Sequence, residues 1–178
     1  MKTLIVENFL DKNVISDLYN YMIGNPNWSL NRASTLDSIG LFPGQIIFDD
    51  FGEVPHVGDN FLFGYFSGIT HCIRKNVQDQ TNFILPHRIR RVHLGAKNTE
   101  SLTDFHFDRR EADYFTLLGH IMPSWSPEWG GSIQIEDEEY PIEPGKFVVF
   151  PSNKYHDGKC PLEATPYWRI SVNIIVGP

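Results

Sequence analysis

Cysteine is scarce in this chain: two among 178 residues, Cys72 and Cys160, and neither belongs to a CxxC pair. That argues against a disulfide scaffold and against a thiolate zinc site, and Cys72 reads as a core residue. Long apolar runs are missing too. No stretch approaches the roughly 18 residues that a membrane span requires. The opening Met-Lys-Thr-Leu-Ile-Val-Glu turns acidic after three consecutive apolar residues, too few for the apolar region of a signal peptide. The expectation is a cytoplasmic protein with no membrane partner. Positive charge is in short supply as well. A net charge of −7 lacks the basic field on which broad nucleic-acid binding depends, so no nucleic-acid partner is expected. Low-complexity tracts, internal repeats and blocks of like charge are absent, which sets disorder aside.

What remains is an ordinary globular composition, 41% hydrophobic and 21% charged, in a length suited to one domain. Aromatics are plentiful at 13%, led by 13 Phe, and favour a sheet-rich core. Residues 3 to 6 read as a short strand. Asp11 is placed to cap a helix with Val14, Ile15, Leu18 and Met22 at helical spacing, ending near Gly24. From Asn25 to about Val57 the chain reads as irregular, broken by a strand at Gln45 to Asp49, and is able to overhang a site. Asp59 then opens a second helix, whose apolar stripe is Leu62, Phe66, Ile69, Ile73 and Val77. Beyond residue 88 strands are predicted at Ile89 to Leu94, Tyr114 to Met122, Ser132 to Ile135, Lys146 to Phe150 and Trp168 to Val176. Turns fall at Gly130-Gly131 and at Pro144-Gly145, where Pro presets one torsion and Gly supplies positive φ. The expected class is α+β, mainly β: a single domain over 1–178. Residues 1–87 provide helical support and strands, and residues 88–176 form a jelly-roll or barrel core.

The chemistry concentrates in that second half. In Asp104-Phe-His-Phe-Asp108, two-residue spacing on extended backbone aims His106 and Asp108 to one side and Phe105 and Phe107 to the other. With a second imidazole they make the three-ligand face that leaves open positions on non-haem Fe(II). Chance supplies such a pair in roughly every second chain of this composition, so the partners carry the weight. His156 follows the apolar run ending in Phe150 and sits just past a strand end. Arg169 and Ser171 share a face of an otherwise apolar closing strand, and an arginine buried there demands an anion.

Taken in order, His106-x-Asp108, Trp129-Gly130-Gly131, Pro144-Gly-x-x-Val-Val-Phe-Pro151, His156 and Arg169-x-Ser171 resemble the prolyl 4-hydroxylase branch of the Fe(II)/2-oxoglutarate oxygenases. The resemblance spans roughly residues 88 to 176. It implies a double-stranded β-helix (a jelly roll, cupin-like) flanked by N-terminal helices, with iron held by His106, Asp108 and His156. It also implies that Arg169 grips the distal carboxylate of 2-oxoglutarate, with Ser171 as a hydroxyl partner. The implied cofactors are Fe(II), 2-oxoglutarate and O2, with ascorbate as a reductant. The implied reaction is hydroxylation of a C–H bond with succinate and CO2 as co-products. Fe(II), Asp108, the dianionic keto acid and Arg169 sum to zero charge with neutral His, and a neutral assembly can be buried.

The sequence departs from the family at two tyrosine positions, where His120 and His93 stand as candidate replacements near the co-substrate. Either histidine reads equally as a hydrogen-bonded core residue. The interval from His156 to Arg169 is longer than the prolyl enzymes lead one to expect, which leaves the substrate open. The polar stretch from Leu94 to Thr103, with Gly95, Lys97, Asn98 and Ser101, is a candidate lid or a solvated connector. Arg109 and Arg110 are candidates for a substrate carboxylate or carbonyl, or for exposed salt bridges. Trp129 and Tyr155 are candidates to line a groove, or simply to pack on the core. A prolyl residue of a peptide or protein is the first substrate class, ahead of a free amino acid or other small metabolite. A cupin-like module that binds metal or organic acid without turnover, and a zinc hydrolase using the same ligands, remain as rivals. Oligomeric state is not legible.

Overall fold

The computed structural model describes residues 1–7, 10–25, 27–29, 43–101 and 104–178. The chain opens with β1 (Leu4–Val6) and α1 (Lys12–Gly24). The Asp11 carboxylate accepts from the Asn13 amide at 2.8 Å, satisfying a first-turn donor. Ile15, Leu18 and Met22 are buried as the spacing predicts, whereas Val14 lies at the exposed margin of the stripe. After β2 (Gly44–Asp49) and the two-residue β3 (His56–Val57) comes α2 (Asn60–Thr81). Its cap, Asp59, accepts from Leu62 N at 2.9 Å, and its far end closes on Asn82 in the left-handed region at φ 58°. Most of the predicted irregular segment before β2, residues 30–42, lies outside the described residues; the remainder includes β3, which the sequence did not reveal.

Leu62, Phe66, Ile69, Ile73 and Val77 are all buried on one face of α2. Cys72 is not: it is exposed, because it falls off that stripe by one residue, about 100° around the helix. The reading of Cys72 as a core residue is therefore corrected.

Seven further strands and the His106 segment alternate between two sheets. β4 (Arg88–Lys97), β5 (Phe115–His120), β8 (Phe147–Pro151) and β10 (Arg169–Gly177) form the centre of a seven-stranded sheet of order β1-β8-β5-β10-β4-β2-β3. β6 (Ile133–Ile135), β7 (Glu138–Tyr140) and β9 (His156–Gly158) form the smaller sheet, and His106 bridges to His156 beside it. The chain thus runs large sheet, small sheet, large, small, small, large, small, large. With every pairing antiparallel, this is the jelly-roll alternation.

Alternation along each strand divides the core in two. Val92, Leu94, Leu117, Val149, Ile170, Val172 and Ile174 face the helices and join Ile15, Met22, Leu62 and Phe66 in one cluster. From the opposite face, Leu118, Val148 and Phe150 pack against Ile133 and Ile135 of the small sheet. Each such side chain removed from water contributes about 1.5–3 kcal/mol. The rest of that inner face is polar and holds the site described below. The Pro144-Gly145 turn forms as predicted, with Gly145 at φ 84°. Among the described residues no helix is long and apolar enough to cross a membrane.

Candidate metal centre

His106, Asp108 and His156 converge, offering one ligand atom each, all within 4.8 Å of one another. His156 Nε2 lies 3.5 Å from Asp108 Oδ2, and His106 Nε2 lies 4.0 Å from Oδ1. The backbone explains the approach of the two imidazoles. The His106 amide donates to the His156 carbonyl at 2.9 Å, and the His156 amide donates back at 3.0 Å. The His106 segment is this one bridge, not the regular strand that the spacing suggests, and Asp108 lies in a bend. His156 likewise begins a strand of its own, β9, instead of sitting in a loop past a strand end. The two-residue spacing still aims both ligands inward. Phe105 and Phe107 turn away: Phe105 stacks on Tyr155 at 5.2 Å between centroids and Phe107 meets it tilted at 5.0 Å, so Tyr155 forms an aromatic clasp with them.

Each imidazole is oriented by the carbonyl two residues before it. His106 Nδ1 lies 2.9 Å from Asp104 O and His156 Nδ1 lies 2.9 Å from Lys154 O. A carbonyl accepts only, so Nδ1 carries the proton and Nε2 presents its lone pair. Burial alone would raise the Asp108 carboxyl. His156, Arg91, His106 and the Asn173 hydrogen bond outweigh it and hold the group at about 2. Burial pulls the His156 imidazole below its ordinary value against the opposing charge of Asp108. An ionised carboxylate flanked by two imidazole Nε2 atoms suits a divalent first-row metal.

The carboxylate is held in turn. Thr116 Oγ1 donates to Asp108 Oδ2 at 2.7 Å, Asn173 Nδ2 donates to the same oxygen at 2.9 Å, and Arg91 Nη2 stands 3.4 Å from Oδ1. Sequence reasoning missed Asn173 and Thr116. Asn173 carried a signal, since it continues the Arg169, Ser171 alternation by two residues. Asn173→Ala is expected to weaken Fe(II) binding by about tenfold to a hundredfold, read by titration against a competing chelator, because the ligand loses its orienting donor.

The inner face continues along β10 from Asn173 to Ser171 and Arg169. Arg169 is 1% exposed and lies opposite Lys97 of β4. Its Nε donates to Gly131 O at 2.7 Å, so the Trp129-Gly130-Gly131 turn serves to hold the guanidinium. Gly131 sits at φ 78°, and an added Cβ would come within 3.1 Å of Arg169 Cδ. Arg169 Nη2 is buried without a hydrogen-bond partner. Burial pulls the guanidinium down to about 10, so it stays charged at neutral pH. His120 pairs with Ser171 across β5 and β10, and its Nε2 is also buried and unpartnered. Its pKa falls well below the usual imidazole range through burial, then through Arg169 and Lys97, so it is neutral. His93 is buried opposite Asn173, toward the carboxylate ligand and four residues along β4 from Lys97. Ser171 Oγ lies 3.4 Å from Gly95 O.

The outlying candidates are placed differently. Gly95 and Lys97 belong to β4, not to a lid, and Ser101 is buried and bonded to Asn98; Leu102 and Thr103 lie outside the described residues. Arg109 pairs with Glu111 and lies over the Phe51 ring at 4.4 Å, the salt-bridge alternative with an aromatic bed. Arg110 is exposed. Trp129 packs edge-on against Trp125 at 5.4 Å.

No family model matches the sequence, and no curated protein sequence matches it either. Solved structures do share the fold. A prolyl-4-hydroxylase from Pseudomonas putida is 14% identical with a TM-score of 0.68, the match covering 98% of this chain and 91% of that one. A Burkholderia pseudomallei oxidoreductase of the 2OG-Fe(II) oxygenase family is 14% identical at 0.67, covering 98% and 84%. HygX from Streptomyces hygroscopicus, with nickel and 2-oxoglutarate bound, is 11% identical at 0.65, covering 99% and 82%; a further structure of it also holds hygromycin B. The architecture is therefore that of the prolyl-4-hydroxylase-like and other 2OG-Fe(II) oxygenases.

Proposed function

We propose that this chain is an Fe(II)- and 2-oxoglutarate-dependent dioxygenase that hydroxylates a C–H bond, with a prolyl residue of a peptide or protein as its first substrate class. One observation carries the reading. The inner face has a three-ligand metal group at one end and, at the other, a buried guanidinium whose Nη2 has no hydrogen-bond partner. A buried donor without a partner costs about 1–3 kcal/mol, and more when charged, unless a ligand satisfies it. A keto acid that chelates the metal and ends in a carboxylate spans both ends.

In this reading His106, Asp108 and His156 hold iron, and Arg169 takes the far carboxylate. His120, neutral and carrying its proton on Nε2, donates to the same group, with Ser171 and His93 lining the path between. When bound, iron and 2-oxoglutarate supply the oxidising chemistry, by which O2 is divided between the substrate, as a hydroxyl, and the keto acid, which leaves as succinate and CO2. The chain's own part is orientation and dryness. Asn173, Thr116 and Arg91 fix the carboxylate ligand, Gly131 fixes Arg169, and Leu118, Val148 and Phe150 exclude water from the inner face. Arg110, Tyr155, Trp129 and Arg109 stand as rim candidates for the substrate.

The same chemistry on a small molecule is the second reading. It is favoured by the likeness to HygX, one of whose structures holds hygromycin B. Incubation under air with Fe(II) and 2-oxoglutarate, followed by mass spectrometry of proline-containing peptides against free amino acids, separates the two. Protein, Fe(II) and 2-oxoglutarate mixed without oxygen should develop a visible absorption band that His106→Ala lacks; no band with the wild-type protein would sink both readings. Ascorbate is expected to sustain turnover as a reductant, read as succinate formed over time.

A further inference from the structure

Sequence reading placed Lys97 in a polar loop, yet the fold puts it inside the cradle. It is 7% exposed, at the end of β4, directly opposite Arg169 on β10. Its Nζ donates to Gly158 O. Gly158 matters here because it has no side chain: a Cβ at that position would lie 3.2 Å from Arg169 Nη2, 3.6 Å from Nη1 and 3.4 Å from Lys97 Nζ. The ammonium and the guanidinium therefore both pack against the bare Cα of Gly158, near enough to each other to face one ligand. Like charges directly opposite across two strands repel, and both are out of water. Asp157 of β9 supplies one neighbouring negative charge, which offsets one of the two cations. The pair thus carries a net positive charge that suits an anionic ligand.

We propose that Lys97 is a second cation of this cradle, binding the far carboxylate of 2-oxoglutarate together with Arg169 where the two converge beside Gly158. The proposal rests on the 2-oxoglutarate reading above and adds a binding residue and a pH dependence to it. Burial, then Arg169, pull the Lys97 ammonium down to about 8, against the opposing charge of Asp157. Of the other groups around it, burial raises the Cys160 thiol and depresses His120, so both are neutral where the ammonium titrates. Bound carboxylate favours the charged ammonium, so binding takes up a proton once the free protein has lost it. Affinity is then full below about pH 8 and falls as pH rises through it.

The test is calorimetric titration of 2-oxoglutarate into the Mn(II)-loaded protein at about pH 7 and pH 9, which needs no turnover. Wild-type affinity should fall about five- to tenfold between the two. Lys97→Met should bind about tenfold more weakly at pH 7 and show no further loss at pH 9, while Lys97→Arg should bind more tightly than Lys97→Met with no loss at pH 9. The keto acid 2-oxopentanoate, a methyl group replacing the far carboxylate, should give a flat profile, which separates the cradle from the metal end. Wild-type affinity and slope retained in Lys97→Met would overturn the proposal, as would a flat wild-type profile should that variant not fold. If wild type binds 2-oxoglutarate and Arg169→Met weakens it, such a result leaves the functional reading standing. If wild type does not bind it at all, that reading fails first.

Discussion

Asp108→Asn is expected to abolish the stabilisation that Fe(II) or Mn(II) confers on the wild-type protein. Asp108 is the only anion of the three ligands, and its side chain is fully buried. Asparagine keeps the shape but removes the charge, and its amide nitrogen meets Asn173 or Arg91, which are donors themselves. Losing one partner of a buried ionic contact costs about 3–5 kcal/mol, or a hundredfold to several-thousandfold in metal affinity. Metal at a hundred times its dissociation constant adds about 2.7 kcal/mol to the folded state. For a domain of this size that is a rise of about 5–10 °C in melting temperature. The variant should show none at the same metal concentration, by differential scanning calorimetry. An equal rise in both proteins would place the metal elsewhere.

Arg169→Met should separate the two ends of the site. The guanidinium is clamped through Nε to Gly131 O, so little side-chain freedom remains to be lost when a carboxylate arrives. Charge-assisted hydrogen bonds contribute about 1.5–3 kcal/mol each. Two of them predict that 2-oxoglutarate binds at least a hundredfold more weakly to the variant. Metal affinity should be unchanged, because Arg169 touches none of the three ligands. Calorimetry with Mn(II) first and 2-oxoglutarate second reads both quantities in one sample. Unchanged keto-acid affinity would remove the cradle from the mechanism, and with it the observation on which the functional reading stands.

Much of this architecture was legible as periodicity. The stripe from Leu62 to Val77 is a buried helix face, and the caps Asp11 and Asp59 sit where the pattern begins. The five later strands lie where they were expected, within a few residues at their ends, and β4 runs three residues further to include Lys97. The short strands β3, β7 and β9 were invisible, because His-Val, Glu-Glu-Tyr and His-Asp-Gly hold too few apolar residues to show a pattern, unlike the equally short β1 and β6. His106, Asp108 and His156, which the fold brings together as a candidate metal group, were singled out from their order along the chain. Cys72 was misplaced for lack of one residue of phase, and Lys97 because Gly-Ala-Lys reads as loop when its partner strand is unknown.

The sequence by itself determined the apolar faces of the two helices and the longer strands, since hydrophobic spacing reports the local geometry of one helix or one strand and nothing beyond it. Only the tertiary structure decided which inward-facing residues meet. The register of β10 against β4 sets Arg169 opposite Lys97 and Asn173 opposite His93, and the bridge from His106 to His156 closes the metal group. These neighbours are separated by fifty to eighty residues of chain. Strand pairing and the packing of two sheets bring them together, and both are settled by burial across the whole domain.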